Sequence, residues 1–200
     1  MIWAIGDVHG MTKSYEKILT FLHKEDKEAI TLMCGDMGVG FSDVISPCCG
    51  DNDYWISGNH DNHDACLGIK GYLGDYGVID VGVKAFFIRG AYSTDRYHRT
   101  ENIDWWRCEQ LSQEKCNEAI ELYAKEKPDL VISHDCPKQV HHLVCAFGRE
   151  GSRTGETLTK LFEIHSPKFW IFGHHHNHSQ HVVNGTTFTC LGELKWKKIC

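Results

Sequence analysis

Short apolar segments alternate with amphipathic segments along much of the chain, and this pattern predicts strands connected by helices. Helical spacing of apolar residues predicts the helices Thr12–Lys24, Ser112–Glu126 and Thr154–His165. Compact apolar segments bounded by turn-forming residues predict the strands Ile2–Ile5, Ala29–Cys34, Tyr54–Ser57, Val78–Val81, Ala85–Ile88, Leu130–Ser133, Phe169–Phe172, His181–Val183 and Thr186–Thr189.

The order of these elements predicts an α/β fold. Strands and helices alternate early, and antiparallel pairs follow at Gly82 and at Asn184-Gly185, a dipeptide typical of tight hairpins. We therefore expect mixed sheets covered by helices. Thr12 is the expected N-cap of the first helix. Residues 35–53, rich in Gly, Ser and Asp, are expected to form a loop beside the site.

Length and composition are typical of a single globular domain spanning residues 1–200. Hydrophobic residues make up 42% and charged residues 24% of the chain, with a formal net charge of -6. The negative charge does not favour an extended nucleic-acid surface, but a small anionic substrate is compatible with it when metal cations are bound. No apolar segment approaches the length of a membrane span.

The ten cysteines show no regular CxxC framework, so a disulfide-rich or thiolate-zinc binding module is not supported. Several lie inside apolar segments, as Cys34 and Cys190 do, and are expected to be small buried residues. The role of Cys48-Cys49 stays open. A reducing cytoplasm fits this usage best. A cleaved leader is not expected, because its loss would remove Asp7 and His9.

Chemically active side chains directly follow five predicted strands. They stand in the segments Gly6-Asp7-Val8-His9-Gly10, Gly35-Asp36, Gly58-Asn59-His60-Asp61, Ser133-His134-Asp135 and Gly173-His174-His175-His176. Open α/β sheets place their sites at the carboxyl ends of the strands, so we expect the side chains of these segments to meet there. Carboxylate, imidazole and amide donors in this number predict a centre for two divalent metal ions.

The residue types predict how the two ions are shared. Asp36 is the expected bridge. One ion would take Asp7, His9 and His176, and the other Asn59, His134 and His174. A donor set without thiolate suits Mn, Fe, Zn or Ni rather than Ca. His175 is expected to point away, and seven further histidines are expected at the surface or behind the ligands: His63, His98, His141, His142, His165, His178 and His181.

These five motifs resemble the calcineurin-like metallophosphoesterases, whose pattern is D-x-H, G-D, G-N-H-[DE], a lone H and G-H-x-H. The resemblance runs from Asp7 to His176. It implies a four-layer α/β/β/α sandwich of two mixed sheets flanked by helices, and a dinuclear centre of Mn, Fe or Zn. It also implies phosphoester hydrolysis by attack of a metal-bridging hydroxide. His60 is the expected catalytic residue, assisting the leaving group. Mn is the expected metal.

The second motif departs from the protein Ser/Thr phosphatase branch, where it reads G-D-x-x-D-R-G. Val39 and Gly40 replace the Asp and Arg of that pattern. His-x-His instead resembles the phosphodiesterase and nuclease branches, and the segment Arg89–Asp95 resembles small bacterial and phage members. Asp61 or Asp64 is a candidate to orient His60. Arg99 and Arg153 are candidate phosphate clamps, and Trp105-Trp106 is a candidate wall for a nucleobase or part of the core.

The substrate stays open at this point. A phosphodiesterase for small molecules or cyclic nucleotides, a phosphomonoesterase and a small nuclease all fit, with a small phosphoester or nucleotide favoured over nucleic acid. The alternative to an enzyme is a scaffold that keeps the fold without catalysis. The sequence does not support this alternative, because His60 and all seven expected ligands are present.

Overall fold

The computed structural model describes residues 1–41, 47, 49–146 and 151–199. Two mixed sheets form the centre of the structure. The smaller sheet has the strand order β10-β1-β2-β3. Its strands are β1 (Ile2–Ile5), β2 (Ile30–Met33), β3 (Asp53–Trp55) and β10 (Trp196–Lys198). Strands β1, β2 and β3 are parallel, and β10 is antiparallel to β1.

The larger sheet has the strand order β4-β5-β6-β7-β9-β8. Its four inner strands are parallel, and each edge strand is antiparallel to its neighbour. The strands are β4 (Tyr76–Asp80), β5 (Lys84–Ile88), β6 (Leu130–Ser133), β7 (Phe169–Phe172), β8 (Ser179–Val183) and β9 (Thr186–Cys190). Asn184 and Gly185 both have positive φ in the β8–β9 turn, as a tight hairpin requires.

Helices cover the outer face of each sheet. They are α1 (Thr12–Glu25), α2 (His63–Cys66), α3 (Gln113–Glu126), α4 (Lys138–Val144) and α5 (Arg153–Ile164), with a short 3-10 helix at Arg96–His98. Side chains of α1 such as Leu19 and Leu22 pack on Met33 and Trp55 of the smaller sheet. Helices α3 and α5 pack Tyr123 and Phe162 against the outer face of the larger sheet.

A third apolar layer lies between the two sheets. Ala4 and Leu32 of the smaller sheet pack there with Ala85, Ile132 and Ile171 of the larger one. Successive residues of a strand face opposite sides, so Phe86 belongs to the outer layer and Phe87 to the inner one. The four-layer α/β/β/α sandwich implied by the family resemblance is therefore confirmed.

The predicted helices and strands are present, with boundaries shifted by a few residues. Four of the described elements were not predicted: α2, α4, β10 and the 3-10 helix at Arg96–His98. The prediction that Thr12 caps α1 was wrong, because Met11 occupies that position and makes no side-chain cap. Ser112 and Ser152 instead cap α3 and α5 through hydrogen bonds from Lys115 and Gly155. Residues 42–46 and 48 of the expected loop lie outside the described residues.

No helix among the described residues is both long and apolar enough to cross a lipid bilayer. No disulfide joins the described cysteines.

Candidate metal centre

The carboxyl ends of five strands converge where the two sheets meet. Asp7 and His9 follow β1, Asp36 follows β2, and Asn59 lies beyond β3. On the facing sheet, His134 follows β6 directly, and His174 and His176 follow β7. The structure thus brings all seven expected ligand residues, listed here and in the sequence motifs, to one place between the sheets.

One group of donors contains Asp7, His9 and His176. Their candidate ligand atoms all lie within 4.8 Å of one another. The Nε2 atoms of the two histidines are 3.1 Å apart, and the Asp7 Oδ2 atom lies 3.8 Å from His9 Nε2 and 3.6 Å from His176 Nε2. Two imidazoles and one carboxylate at this separation form a suitable set for a first-row transition metal.

A second group contains Asp36, His134 and His174, whose donor atoms also lie within 4.8 Å of one another. His134 Nε2 is 3.2 Å from Asp36 Oδ2 and 3.1 Å from the amide oxygen of Asn59. The Asn59 amide nitrogen donates to Ser93 Oγ at 3.0 Å, which turns the amide oxygen toward His134. Asn59 therefore belongs with the second group.

Asp36 lies between the two groups. Its Oδ1 atom accepts a hydrogen bond from the His60 main chain at 2.8 Å. Its Oδ2 atom is buried and makes no directed hydrogen bond within the described part of the chain, although His134 Nε2 lies 3.2 Å away and His9 Nε2 3.8 Å away. A buried carboxylate oxygen without such a bond is costly, and a bridging cation would offset that cost. The residues present therefore fit two metal ions.

Electrostatics also favour bound cations. Burial raises the pKa of Asp7 to about 7, and the nearby Asp36 carboxylate adds to the increase while His134 opposes it. Burial would raise the pKa of Asp36 too, but the His134 imidazolium outweighs it and holds that pKa below its usual range. Burial lowers the pKa of His174 to about 3, which keeps this imidazole in the neutral form that metals bind.

Left-handed backbone places four of the ligands. His9, Asp36, His174 and His176 have φ values of 46°, 56°, 64° and 49°. This conformation costs a residue with a side chain about 1–2 kcal/mol. Strain of this kind persists where the surrounding structure enforces it and is common at functional sites.

Three glycines allow the ligand side chains to approach the backbone. A Cβ at Gly58 would lie 2.1 Å from Asp36 Oδ1 and 2.5 Å from His134 Nε2. A Cβ at Gly173 would lie 2.0 Å from Asp7 Oδ1, and one at Gly35 would lie 2.3 Å from His134 Nδ1. Each glycine precedes a ligand in the sequence motifs, and its missing side chain provides the space that another ligand fills.

Asp61 does not orient His60, contrary to one of the two alternatives taken from the sequence. Its carboxylate accepts hydrogen bonds from the main-chain amides of Met37, Gly38, Val39 and Gly58 at 2.7–3.1 Å. It thereby fixes the loop after Asp36 against the loop that carries Asn59. Burial raises the pKa of Asp61 to about 6, and the Asp36 charge adds to the rise.

The Arg99 guanidinium contacts the His60 ring. Its Nη1 atom lies 3.0 Å from His60 Nδ1, and its Nη2 atom lies 3.0 Å from Nε2 and 2.8 Å from Asp95 Oδ2. Burial lowers the pKa of His60 to about 4, and the Arg99 charge adds to the decrease. The Asp36 carboxylate opposes it. The His60 ring is neutral near pH 7 in this arrangement.

The other candidate residues have structural roles or remain outside the site. Arg153 Nε donates to the Leu111 main-chain oxygen at 2.6 Å, so this guanidinium is used within the fold. Trp106 is buried. His175 turns away from the two groups and lies 3.1 Å from Asp135, as predicted. His63 is buried beside Tyr72.

Sequence reasoning missed two carboxylates near the ligands. Glu193 Oε1 lies 3.3 Å from His176 Nδ1 and 3.8 Å from His9 Nε2. Glu109 accepts a hydrogen bond from Ser93 Oγ at 2.6 Å, and Ser93 holds Asn59. Neither residue lies in a recognisable motif, so only their folded positions associate them with the centre.

A family model described as calcineurin-like phosphoesterase matches residues 1–178, which include all seven candidate ligands. The chain belongs to the calcineurin-like phosphoesterase family. This membership makes the protein a hydrolase of the metal-dependent phosphoesterase class, whose members use divalent ions. A comparison with curated protein sequences finds no match.

Three solved structures share the fold at low sequence identity. The phosphopantetheinyl hydrolase of Mycobacterium tuberculosis has a TM-score of 0.54 at 12% identity, covering 96% of this chain and 89% of its own. A protein described as a 5'-nucleotidase from Staphylococcus aureus has a TM-score of 0.53 at 15% identity, and the match covers 96% of this chain and 48% of that one. GAP50, the anchor in the inner membrane complex of Plasmodium, has a TM-score of 0.54 at 14% identity, and the match covers 96% of this chain and 70% of that one.

We predict that Gly58→Ala weakens metal binding although it removes no ligand. The added Cβ would displace Asp36 and His134, and disturbed support of a ligand commonly costs about 10–100-fold in metal affinity. Isothermal titration with Mn²⁺ measures the change. Gly192→Ala is the matched control, since its Cβ would meet no atom closer than 3.6 Å. Unchanged Mn²⁺ affinity in a folded Gly58→Ala protein would contradict this role of the glycine.

Proposed function

We propose that the protein is a dinuclear metal-dependent phosphoesterase that hydrolyses phosphomono- or phosphodiesters, with His60 assisting the leaving group. The observation that carries the proposal is the buried Asp36 carboxylate, whose Oδ2 atom lies between His134 of one donor group and His9 of the other. In two-metal sites the ions lie about 3.5–4 Å apart, and a carboxylate shared by the two donor groups suits that spacing.

Asp7, His9 and His176 would hold one ion, and Asn59, His134 and His174 the other, with Asp36 common to both. When bound, two such ions activate water at neutral pH and neutralise the charge that develops on the phosphoryl oxygens. The imidazole, carboxylate and amide donors suit Mn, Fe, Zn or Ni, and Mn is the metal we propose.

The arrangement of His60 and Arg99 suggests how the leaving group is handled. The His60 ring lies beside the centre, with its centroid 5.2 Å from that of His9, and its N–H can donate to an oxygen there. Arg99 lies alongside and is suited to bind phosphate oxygens through its guanidinium fork. When Arg99 engages the negative charge of a substrate, its effect on the His60 pKa weakens, which favours protonation of His60 for transfer to the leaving oxygen.

The substrate class we favour is a small phosphoester or nucleotide acted on in the cytoplasm. The chain has a net charge of -6, which does not favour an extended nucleic-acid surface. The structural neighbours described as a 5'-nucleotidase and a phosphopantetheinyl hydrolase act on small phosphate-containing molecules by their names. Their low identity supports the fold alone, so the substrate assignment rests on this chain's charge and site.

A scaffold without catalysis is the alternative function, and GAP50, described as an anchor, shows the fold in that setting. The donor groups argue against a scaffold here. A protein with no need of metals would have no reason to bury the carboxylates of Asp7 and Asp36 next to each other or to hold four ligands in left-handed backbone.

We predict that Asp36→Asn abolishes hydrolysis and weakens binding of both ions, because an amide bridges two cations poorly. The loss should be at least about a thousandfold in kcat/KM. Metal-stripped protein restored with Mn²⁺ should be assayed on bis(p-nitrophenyl) phosphate and p-nitrophenyl phosphate, with metal content measured in parallel. The faster of the two substrates separates a diesterase from a monoesterase.

Asp51→Asn is the control for this experiment, since the Asp51 carboxylate is exposed and pairs with Lys70 away from the donor groups. It should keep wild-type rates and metal content. Normal turnover by Asp36→Asn would contradict the shared-carboxylate assignment. Wild-type protein that binds two ions and hydrolyses neither ester would favour the scaffold.

We predict that His60→Ala keeps two bound ions but loses turnover in a way that depends on the leaving group. Loss of a general acid commonly costs about 10²–10⁴-fold, and the cost should be large for phenyl phosphate and small for p-nitrophenyl phosphate, whose leaving group needs little protonation. The exposed His142→Ala is the control. Equal losses on the two substrates would show that His60 does not assist the leaving group.

A further inference from the structure

A second cluster of metal-binding side chains lies behind the segment that carries His174 and His176. Its members are half-buried or buried and include two imidazoles, two thiols and a carboxylate: Asp135, Cys136, His141, Cys145 and His175. The dinuclear centre contains no thiol, so this cluster has a different and softer donor chemistry.

Helix α4 and its C-cap supply two members. His141 lies in the last turn of α4, and Cys145 is the C-cap with extended backbone, whose main-chain N–H donates to the His141 main-chain oxygen at 2.9 Å. Although Cys145 is no longer helical, its thiol and the His141 ring lie close enough to bind one ion. Cys and His are the usual ligands of zinc sites, and short spacings between two such ligands are typical.

His175 completes a group of three donors. Donor atoms of His141, Cys145 and His175 lie within 4.8 Å of one another, and the rings of the two histidines have centroids 5.3 Å apart. On one side of His175, Nε2 is 3.1 Å from Asp135 Oδ1 and 3.5 Å from Cys136 Sγ. When Nε2–H donates to Asp135, the Nδ1 lone pair remains for a cation, as in carboxylate–histidine–zinc arrangements.

We propose that His141, Cys145 and His175 bind a single zinc-class cation, separate from the dinuclear centre. Water would complete a tetrahedral set of two nitrogens and one sulfur. Binding converts the Cys145 thiol to a thiolate and releases its proton to solvent. Cys145 is the thiol of choice because it is half-buried at a helix end, whereas Cys136 is fully buried.

Such a cation would join α4 to the turn between His174 and His176. A hydrogen bond from Asn177 Nδ2 to the Val144 main-chain oxygen at 3.2 Å links α4 to the chain just after this turn. A metal bond here would hold the His-x-His segment in its strained conformation without contributing a ligand to the reacting ions. In this position the cation would support the dinuclear centre.

Cobalt titration tests the proposal because thiolate-to-cobalt charge transfer produces a near-ultraviolet band that histidine and carboxylate ligands do not. We expect the band to appear in metal-stripped wild-type protein, with a final intensity that corresponds to one thiolate-bound Co²⁺ per chain. Co²⁺ that the dinuclear centre takes up adds no such band. Asp36→Asn should keep the band, so failure of the dinuclear proposal and failure of this one give different results. Zn²⁺ should abolish the band by displacing cobalt.

Variants identify the ligands. Cys145→Ser and His141→Gln should each remove the band, and far-ultraviolet circular dichroism confirms that each remains folded. Cys108→Ser, at another half-buried cysteine, should keep it. Absence of the band in wild-type protein would overturn the proposal. Loss of the band in Cys136→Ser with retention in Cys145→Ser would also overturn it, since the thiolate would then belong to a different donor set.

Discussion

The buried carboxylate of Asp36 is the constraint on which the arrangement of the site depends. One oxygen is held by the His60 main chain, and the other lies between histidines from both sheets. Removing a carboxylate from water is costly unless positive charge or hydrogen bonds compensate. The two sheets, the glycines and the left-handed turns all serve to bring compensating groups to this oxygen. The dinuclear centre we propose follows from the same requirement.

Much of this could be predicted from local sequence. The parallel strands were visible as apolar segments, and a ligand directly after a strand must lie at the carboxyl edge of its sheet. That rule alone brings Asp7, Asp36, His134 and His174 together. The Asn184-Gly185 hairpin was predictable for a similar reason, since both residues tolerate positive φ and the observed turn uses it. These features depend on a few neighbouring residues.

The rest depends on contacts between residues far apart in sequence. Asp61 was one of two candidates to orient His60, but its carboxylate accepts hydrogen bonds from main-chain amides that include Gly38 and Gly58. This pairing depends on how the two loops meet. Arg99 contacts His60, which is 39 residues away in the sequence. Glu193, in the segment just before β10, lies beside His176. Helix α4 is short, and its packing rather than its periodicity stabilises it. No local pattern carries that information.

If two ions share Asp36, anomalous diffraction from crystals grown with Mn²⁺ will locate both of them. Data collected at the manganese absorption edge should show two peaks about 3.5–4 Å apart, one beside Asp7, His9 and His176 and the other beside Asn59, His134 and His174. Asp36 should lie within bonding distance of both. A single peak, or two peaks of which only one contacts Asp36, would contradict the account.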